Sequence, residues 1–137
     1  NFRMTEFAAA YALPQLKNYL DIGLANRRAT VQKYRADLKG SSLKLCFANT
    51  PIENSAPHIL PVIFPDSASR EHAMSTLQAN DVQYSLHYPA NHKFARYASN
   101  VISLNFTEKY STHALTLPLY DGLTDTEVEY ICNLVRI

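Results

Sequence analysis

The first residues of the chain, NFRMTEFAAAYALPQLKNYL (1–20), predict a long helix at the start of the fold. Apolar side chains recur there at the spacing of one helix face, at Ala9, Ala12, Leu13, Leu16 and Leu20. Pro14 interrupts the pattern, because a proline inside a helix removes one amide hydrogen bond and clashes with the carbonyl of Ala10. We expect helix from residue 5 to about residue 39, with a kink or a break at Pro14.

The second half of this helical arm is strongly basic. Its predicted apolar stripe consists of Ile22, Ala25, Ala29 and Leu38. Basic side chains fill the remaining surface, at Arg27, Arg28, Lys33, Arg35 and Lys39. Such a run is more typical of a solvated face than of a binding patch. We expect Arg27 and Arg28 to form surface or inter-domain salt bridges, and Gly40 to end the helix as a C-cap.

Short strands follow the arm. Runs of apolar or alternating residues predict three of them, at 43–47, 58–64 and 82–86. Pro61 cannot donate to a neighbouring strand, so it predicts a sheet edge or a bulge for the second strand. The third strand alternates apolar and polar residues, and its polar face ends in His87.

Further helices are predicted to cover this sheet. Ser67 can cap a helix that runs to about Asn80, and a short helix is expected at 108–114. Thr124 and Glu127 have the spacing of a capping box, which opens a last helix. The apolar stripe of that helix is Val128, Ile131, Cys132 and Val135. The order predicts an α+β fold, with a kinked helical arm followed by a small, mostly antiparallel sheet packed by helices.

Composition indicates an ordinary globular domain. The chain has 137 residues, 47% of them hydrophobic and 18% charged, with a net charge of +1. This balance lacks the basic surplus of a nucleic-acid-binding protein, and no apolar run approaches the roughly 20 residues that span a bilayer. We expect no nucleic acid and no membrane as partners. Cys46 and Cys132 are expected to be buried free thiols, with a disulfide as the minor alternative, which suits a reducing, cytoplasmic setting.

Several chemistries are disfavoured by the motifs. The five histidines are scattered and form no cluster with Cys or Asp, so metal binding is not expected. Ser85 and His87 lie two residues apart with no acidic partner and no Gly-x-Ser-x-Gly elbow, which argues against a hydrolase. Only three glycines are present, so a phosphate-binding glycine loop cannot be built. His58 and His113 are expected to be structural.

Three blocks of residues, in order, carry a resemblance to a known family. The first block is residues 1–6 with Gln15-Leu16, Arg27-Arg28 and Tyr34. The second block is His58-Ile59 with Arg70, Leu86-His87-Tyr88-Pro89, His92 and Tyr97. The third block is LTLPLY (115–120) with Leu123-Thr124. Together they resemble the small, C-terminal domain of the DegT/DnrJ/EryC1/StrS family of pyridoxal-phosphate (PLP) sugar aminotransferases, which is the small domain of fold-type I PLP enzymes. One departure is Asn80-Asp81-Val82, where the family has a Gly-Ile step; Asn80 can take the left-handed conformation that the turn needs.

The resemblance implies an enzyme with a PLP cofactor. In this family a lysine of the large domain forms a Schiff base with PLP, glutamate donates the amino group, and a nucleotide-linked keto sugar accepts it. That lysine precedes the position of Asn1, and none of the six lysines of this chain lies in the family's motif. We therefore expect the chain to lack the catalytic lysine, to bind no cofactor by itself and to be inactive alone.

The resemblance also assigns candidate site residues. It implies that Asn1 and Arg3 bind the cofactor phosphate, Asn1 that of the neighbouring subunit, as an amide and a guanidinium can. The alternative for Asn1 is a frayed terminus. It implies that His87, Tyr88 and His92 lie at the substrate end of the site. The alternative for His87 is a histidine that ends a strand and bonds a loop carbonyl.

Two hypotheses follow for the chain as a whole. In the first, residues 1–40 are a helical arm at the junction with a missing large domain, residues 41–137 are a small α+β domain, and a second subunit completes a homodimer. In the second, the chain is a stand-alone, non-catalytic binding or dimerisation module. The first predicts that the apolar face of the arm has lost its cover, so the isolated chain should self-associate. The second predicts a well-covered arm.

Overall fold

The computed structural model describes residues 3–97 and 103–136 of the chain. Its helices are α1 (Glu6–Asn18), α2 (Leu24–Asp37), α3 (Ser67–Ala79), α4 (Asn105–His113) and α5 (Asp125–Val135). Its strands are β1 (Lys44–Leu45), β2 (Leu60–Ile63) and β3 (Ala114–Leu117). A π-helical turn at Tyr19–Gly23 joins α1 to α2, and short 3₁₀ turns lie at Ile52–Asn54 and Asn91–Lys93. The predicted α+β class is confirmed.

The helical arm is continuous through its proline. Thr5 caps α1 by accepting a hydrogen bond from the amide of Ala8 at 3.2 Å. The helix then passes Pro14 without a break, and the wider π turn begins only at Tyr19. Of the two alternatives predicted for Pro14, the break is therefore wrong and the kink stays a prediction. The carbonyl of Ala10, which loses its amide donor, lies on an exposed turn where water can replace the lost hydrogen bond.

The buried face of α2 differs from the predicted stripe. Ile22, Ala25 and Ala29 are exposed, and of the four predicted positions only Leu38 is buried. The buried residues within α2 are instead Thr30, Val31 and Tyr34. Valine and tyrosine remove more apolar surface from water than alanine does, so the helix turns this face inward. The buried face predicted from the alanines is therefore wrong.

The sheet has the order β1-β2-β3 and is antiparallel throughout. Val62 of β2 is paired with Leu115 of β3, and Leu60 is paired with Leu117. The strands are shorter than the sequence predicted, since β1 has two residues and β2 has four.

Pro61 lies in the central strand, so its predicted edge or bulge position is wrong. In an antiparallel ladder the N–H and C=O of one residue point to the same side. The carbonyl of Pro61 accepts the amide of Cys46 at 3.1 Å, which places its missing N–H on the side of β1. Because β1 ends at Leu45, the proline falls beyond the regular ladder and costs the sheet little.

A fourth extended segment continues the sheet beyond β3. The amide of Ser85 donates to the carbonyl of Thr116 at 3.1 Å, and the amide of Thr116 donates to the carbonyl of Ser85 at 2.8 Å. Val82 and Tyr84 pack against the core, whereas Ser85 lies on the opposite face. The predicted half-buried strand is thus reduced to a single bridge. The predicted alternation holds over residues 82–85 but is wrong at its end, where Leu86 is exposed and His87 is half-buried.

The caps were predicted in part. The capping box of α5 is confirmed, since Glu127 accepts the amide of Thr124 at 2.8 Å and donates its own amide to the Thr124 hydroxyl at 3.3 Å. The cap of α3 is Asp66 rather than Ser67, because the Asp66 carboxylate accepts the amide of Ser69 at 2.7 Å. After α3, it is Asp81 with φ 56° that adopts the left-handed conformation expected of Asn80.

One core unites the sheet with three helices. The buried residues of α5 are those of the predicted stripe, so that prediction is confirmed. Helix α5 packs against α2 and α3, and all three contribute to a cluster with β2 and β3. Its most buried members are Tyr34, Val62, Leu77, Leu115 and Val128, each with 0% of its surface exposed. Helix α1 takes no part, since none of its residues is buried.

Two arginines of α2 hold the loop between β1 and β2. Arg28 donates to the carbonyls of Glu53 and Ser55 at 2.7 and 2.8 Å, and Arg35 donates to the carbonyls of Phe47 and Thr50. These partners are backbone carbonyls, so Arg28 forms no surface salt bridge within residues 3–97 and 103–136, and an inter-domain one stays a prediction.

Arg27 does form a salt bridge, as predicted, and it lies at the junction with the arm. Its Nε is 2.5 Å from Oδ1 of Asp121. A Cβ added at Gly23 would lie 2.7 Å from Oδ2 of the same carboxylate. The segment that follows β3 therefore approaches the π turn closely, and a larger residue at Gly23 would require the Asp121 side chain to move.

Tyr34 provides a test of the core. Its hydroxyl donates to the carbonyl of Pro118 at 3.1 Å, and the side chain is fully buried. Tyr34→Phe should lower the free energy of unfolding by about 1–2 kcal/mol, because a buried acceptor loses its donor. The matched control is Tyr130→Phe, whose hydroxyl bonds Asn80 at 2.8 Å but whose ring is 47% exposed, so the loss should be smaller. Urea denaturation of both variants measures the difference, and equal losses would contradict this account of the core.

Candidate functional site

His87 is held by β3. It lies two residues beyond the Ser85–Thr116 bridge and on the same sheet face as Ser85. Its Nδ1 is 2.9 Å from the hydroxyl oxygen of Thr116, which is itself buried. The hydrogen-bond partner is thus a side-chain hydroxyl of the neighbouring strand and not a loop carbonyl. This contact fixes the ring and leaves Nε2 as the nitrogen that can contact a ligand.

Tyr88 directly follows His87 and lies beside it. Its ring meets the ring of His87 edge-on, with centroids 4.8 Å apart and planes at 79°. The tyrosine is 71% exposed, so most of its surface is available for contact. His87 and Tyr88 form one local pair of an imidazole and a phenol.

His92 belongs to a second polar cluster, which also contains Lys93 and Glu108. The Nε2 of His92 is 3.1 Å from Oε1 of Glu108, and the ammonium of Lys93 is 2.6 Å from Oε2. Hydrogen bonds from Lys93 and His92 lower the pKa of Glu108 to about 2. Glu108 is therefore an anion near neutral pH, and it ties the turn at Asn91–Lys93 to the first turn of α4.

A broad groove of about 1140 Å³ runs beside His87 and the open edge of the sheet. His58, which the sequence predicts to be structural, also lines this groove. The groove also contains phenol and hydroxyl groups, supplied by Tyr84, Ser85, Thr116, Tyr120 and Tyr130. A surface of this composition suits a hydroxyl-bearing ligand, since it combines aromatic rings with hydrogen-bonding groups.

The proposed phosphate-binding end lies at the start of the arm. Arg3 is exposed and precedes the Thr5 cap of α1. Asn1 lies outside the described residues. The described structure therefore places Arg3 at the arm, His87 and Tyr88 at the sheet edge, and His92 at α4.

The lysines of the chain are poor candidates for covalent chemistry. Five of the six are exposed. The sixth, Lys33, is half-buried with its ammonium 2.5 Å from Asp37, and this hydrogen bond raises the pKa of Lys33. A lysine that keeps its proton near neutral pH is a weak nucleophile.

The cysteines are free thiols, as predicted, although only Cys132 is fully buried and Cys46 is half-buried. Burial raises the pKa of Cys132 to about 12 and also raises the pKa of Cys46. Both thiols are therefore protonated and unreactive near neutral pH.

Residues 3–97 and 103–136 contain neither a metal-binding cluster nor a membrane-spanning helix. Among these residues, His, Cys, Asp and Glu do not come together in a group of three or more that could hold a metal ion. None of their helices has the length and apolar character needed to cross a bilayer.

The sequence was compared with known protein families. The model of the DegT/DnrJ/EryC1/StrS aminotransferase family matches residues 1–136, so this chain belongs to that family. GDP-perosamine synthase of Vibrio cholerae is 28% identical over 142 residues, a match that covers 99% of this chain and 38% of the synthase.

Solved structures of longer proteins share the fold. PseC of Helicobacter pylori, an aminotransferase in pseudoaminic acid biosynthesis, matches with a TM-score of 0.86 at 20% identity. Spr1654 of Streptococcus pneumoniae, a candidate sugar aminotransferase solved in its PLP form, matches with a TM-score of 0.85 at 23% identity. Each match covers 98% of this chain, but only 37% of PseC and 35% of Spr1654. The chain thus spans little more than a third of the length of these relatives.

The sequence suggests His87, Tyr88 and His92 as candidate site residues, but it does not indicate Thr116 and Glu108 as their partners. Thr116 was noted only as part of LTLPLY, and Glu108 only as the start of a helix. The signal for Glu108 was present in part, since an acid in the first turn of a helix is common and a His-Lys pair precedes it by sixteen residues. The pairing itself depends on the tertiary fold.

The lowered pKa of Glu108 predicts a pH dependence of stability. A carboxylate whose pKa is lower in the folded state stabilises the fold above its unfolded pKa of about 4.5, and this contribution is lost as pH falls towards about 2. Glu108→Gln should reduce the change in unfolding free energy across that pH range. Urea denaturation at several pH values compares the variant with the wild type, and identical pH profiles would refute the role given to Glu108.

Proposed function

We propose that this chain is the small-domain portion of a PLP-dependent aminotransferase that acts in the cytoplasm on a nucleotide-linked keto sugar. In this proposal residues 1–40 are the arm at the junction with a large domain, and residues 41–137 are the small domain. Family membership supports the aminotransferase class. The name of the Vibrio cholerae relative, a GDP-perosamine synthase, supports a nucleotide-linked sugar as the substrate class.

The observation that carries the proposal is the exposed arm. Phe7 is 90% exposed, Tyr11 77% and Leu13 67%, and none of the residues of α1 is buried. A helix with this much apolar surface is typical of a segment that packs against another protein surface. Since the chain spans little more than a third of its relatives, the remainder of a longer enzyme is the natural cover. A stand-alone module would need its arm covered by its own residues.

Within the larger enzyme, this chain is proposed to bind PLP rather than to react with it. Bound PLP supplies the electron sink for amino-group transfer. Asn1 is proposed to reach the cofactor phosphate of the neighbouring subunit with its amide, and the exposed guanidinium of Arg3 suits the same anion. The lysines do not fit the covalent role, because they are exposed or, at Lys33, paired with a carboxylate. We therefore propose that the reactive lysine lies in the large domain and that this chain alone is inactive.

The substrate end is assigned to His87, Tyr88 and His92. The Nε2 of His87 is left available by the Thr116 contact and can bond a sugar hydroxyl or a phosphate oxygen. The exposed ring of Tyr88 offers a face for stacking and a hydroxyl for bonding. These groups orient the sugar, while glutamate is the proposed amino donor and a second subunit is proposed to complete the site in a homodimer.

The experiment that tests the function uses the longer protein that contains this chain. Purified with PLP, it should transfer the amino group of glutamate to a nucleotide-linked keto sugar, whereas the 137-residue chain should show no turnover. Conversion followed by mass spectrometry measures both. An intact protein that binds no PLP, or aminates none of a panel of keto sugars on GDP, UDP and TDP, would refute the proposal.

His87→Ala in that protein should raise KM for the sugar nucleotide by about fivefold to tenfold, because a hydrogen bond to the substrate is lost. His113→Ala is the matched control, since His113 bonds its neighbour Thr112 at 2.9 Å and no site role is assigned to it. Steady-state kinetics measures KM for both variants. Equal effects of the two substitutions would remove His87 from the site.

The exposed arm predicts self-association of the isolated chain. Because the apolar side chains of α1 lack cover, the 137-residue chain should form dimers or larger species at high concentration. The double variant Leu13→Lys with Leu16→Lys should shift it toward monomer, since both side chains are exposed and their loss leaves the core intact. Sedimentation velocity measures the species, and a monomeric wild type would contradict the prediction.

A further inference from the structure

The carboxylate of Glu108 accepts three hydrogen bonds from groups distant in sequence or at the start of its own helix. Its Oε1 is 3.1 Å from Nε2 of His92 and 3.3 Å from the amide nitrogen of Leu104. Its Oε2 is 2.6 Å from the ammonium of Lys93. The side chain of His92 is only 19% exposed, so the ring is held within this cluster.

The chemistry of the partners settles the direction of the His92 contact. An ammonium and a backbone amide can only donate, so both oxygens of Glu108 act as acceptors. The low pKa of this carboxyl, about 2, means that it carries no proton near neutral pH. The hydrogen between the two side chains must therefore lie on Nε2 of His92.

We propose that Glu108 is a positioning residue that fixes His92 as its Nε2–H tautomer and so leaves Nδ1 as the ring atom offered to a ligand. In the neutral ring Nδ1 is an acceptor, which suits a hydroxyl donor such as that of a sugar. The choice of a sugar as the ligand rests on the proposed function. The assignment of the Nε2–H tautomer does not depend on the proposed function.

His87 and His92 then present opposite ring nitrogens. His87 commits Nδ1 to Thr116, which leaves Nε2 free, whereas His92 commits Nε2 to Glu108. A threonine hydroxyl can donate or accept, so Thr116 does not fix the tautomer of His87. An ionised carboxylate can only accept. Of the two histidines, His92 is therefore the one whose tautomer is fixed, and Nδ1 of its neutral ring is an acceptor.

The tautomer is measured by NMR on the full chain with nitrogen-labelled histidine, above the pH range in which histidine titrates. In the wild type, the His92 signals should be those of a single Nε2–H form whose proton exchanges slowly with water. Glu108→Ala should convert them to the averaged signals of a free imidazole. Glu108→Gln should lose the single Nε2–H form, because the Lys93 ammonium, 2.6 Å from Oε2, favours the glutamine oxygen at that position. The side-chain NH2 then faces His92, whose Nε2 must accept rather than donate.

Two control variants separate positioning from general damage to the fold. Lys93→Ala removes the other ion pair of Glu108 but should leave the His92 signals unchanged. Thr107→Ala alters the adjacent exposed residue of α4 and should also leave them unchanged. The proposal is overturned if the wild type shows the Nδ1–H form, or if Glu108→Ala leaves the His92 signals as they were in a chain whose backbone spectrum shows that it is folded.

Kinetics of the intact enzyme tests the consequence for the ligand. Glu108→Ala should raise KM for the sugar nucleotide by about the factor caused by His92→Ala, roughly fivefold, with kcat changed less. The double variant should be no worse than either single one, because both remove the same contact. Additive effects would overturn the positioning role. An intact enzyme without turnover refutes the proposed function, while the NMR result still decides the role of Glu108.

Discussion

The pairing of two four-residue strands, β2 and β3, supports both the core and the candidate site. Their inward residues, among them Val62 and Leu115, are fully buried and carry the contacts to α2, α3 and α5. On the opposite face of β3, Thr116 bridges to Ser85 and bonds His87. One strand thus fixes the hydrophobic core on one side and the position of a candidate ligand-binding histidine on the other. A change that loosens β3 is expected to affect stability and the site together.

The local elements of the fold could be predicted from the sequence because local chemistry decides them. The capping box of Thr124 and Glu127 and the buried stripe of α5 depend on residues within three or four positions of each other. The edge position predicted from Pro61 was wrong because the effect of the proline depends on which neighbouring strand faces its missing amide and where that strand ends. The predicted buried face of α2 was wrong because alanines fit either face of a helix, whereas Val31 and Tyr34 decide which face is buried.

The candidate site was predicted to a lesser degree. The resemblance to the family identified His87, Tyr88 and His92 as candidates, yet it gave none of their partners. Thr116 is 29 residues from His87, and Glu108 is 16 residues from His92. Pairings at such separations depend on the sheet register and on the packing of α4, which no local pattern records. Those pairings decide which ring nitrogen of each histidine is engaged, and for His92 also which one carries the hydrogen.

The apolar surface of α1 connects the structure to the proposed function, since the proposal assigns the cover of this helix to a large domain or a second subunit. Hydrogen exchange of the amides of α1 measures this cover directly. The account predicts rapid exchange along Glu6–Asn18 in the dilute isolated chain and strong protection in the intact enzyme, with the core strand β3 protected in both. Equal exchange of α1 in the two proteins would contradict the account.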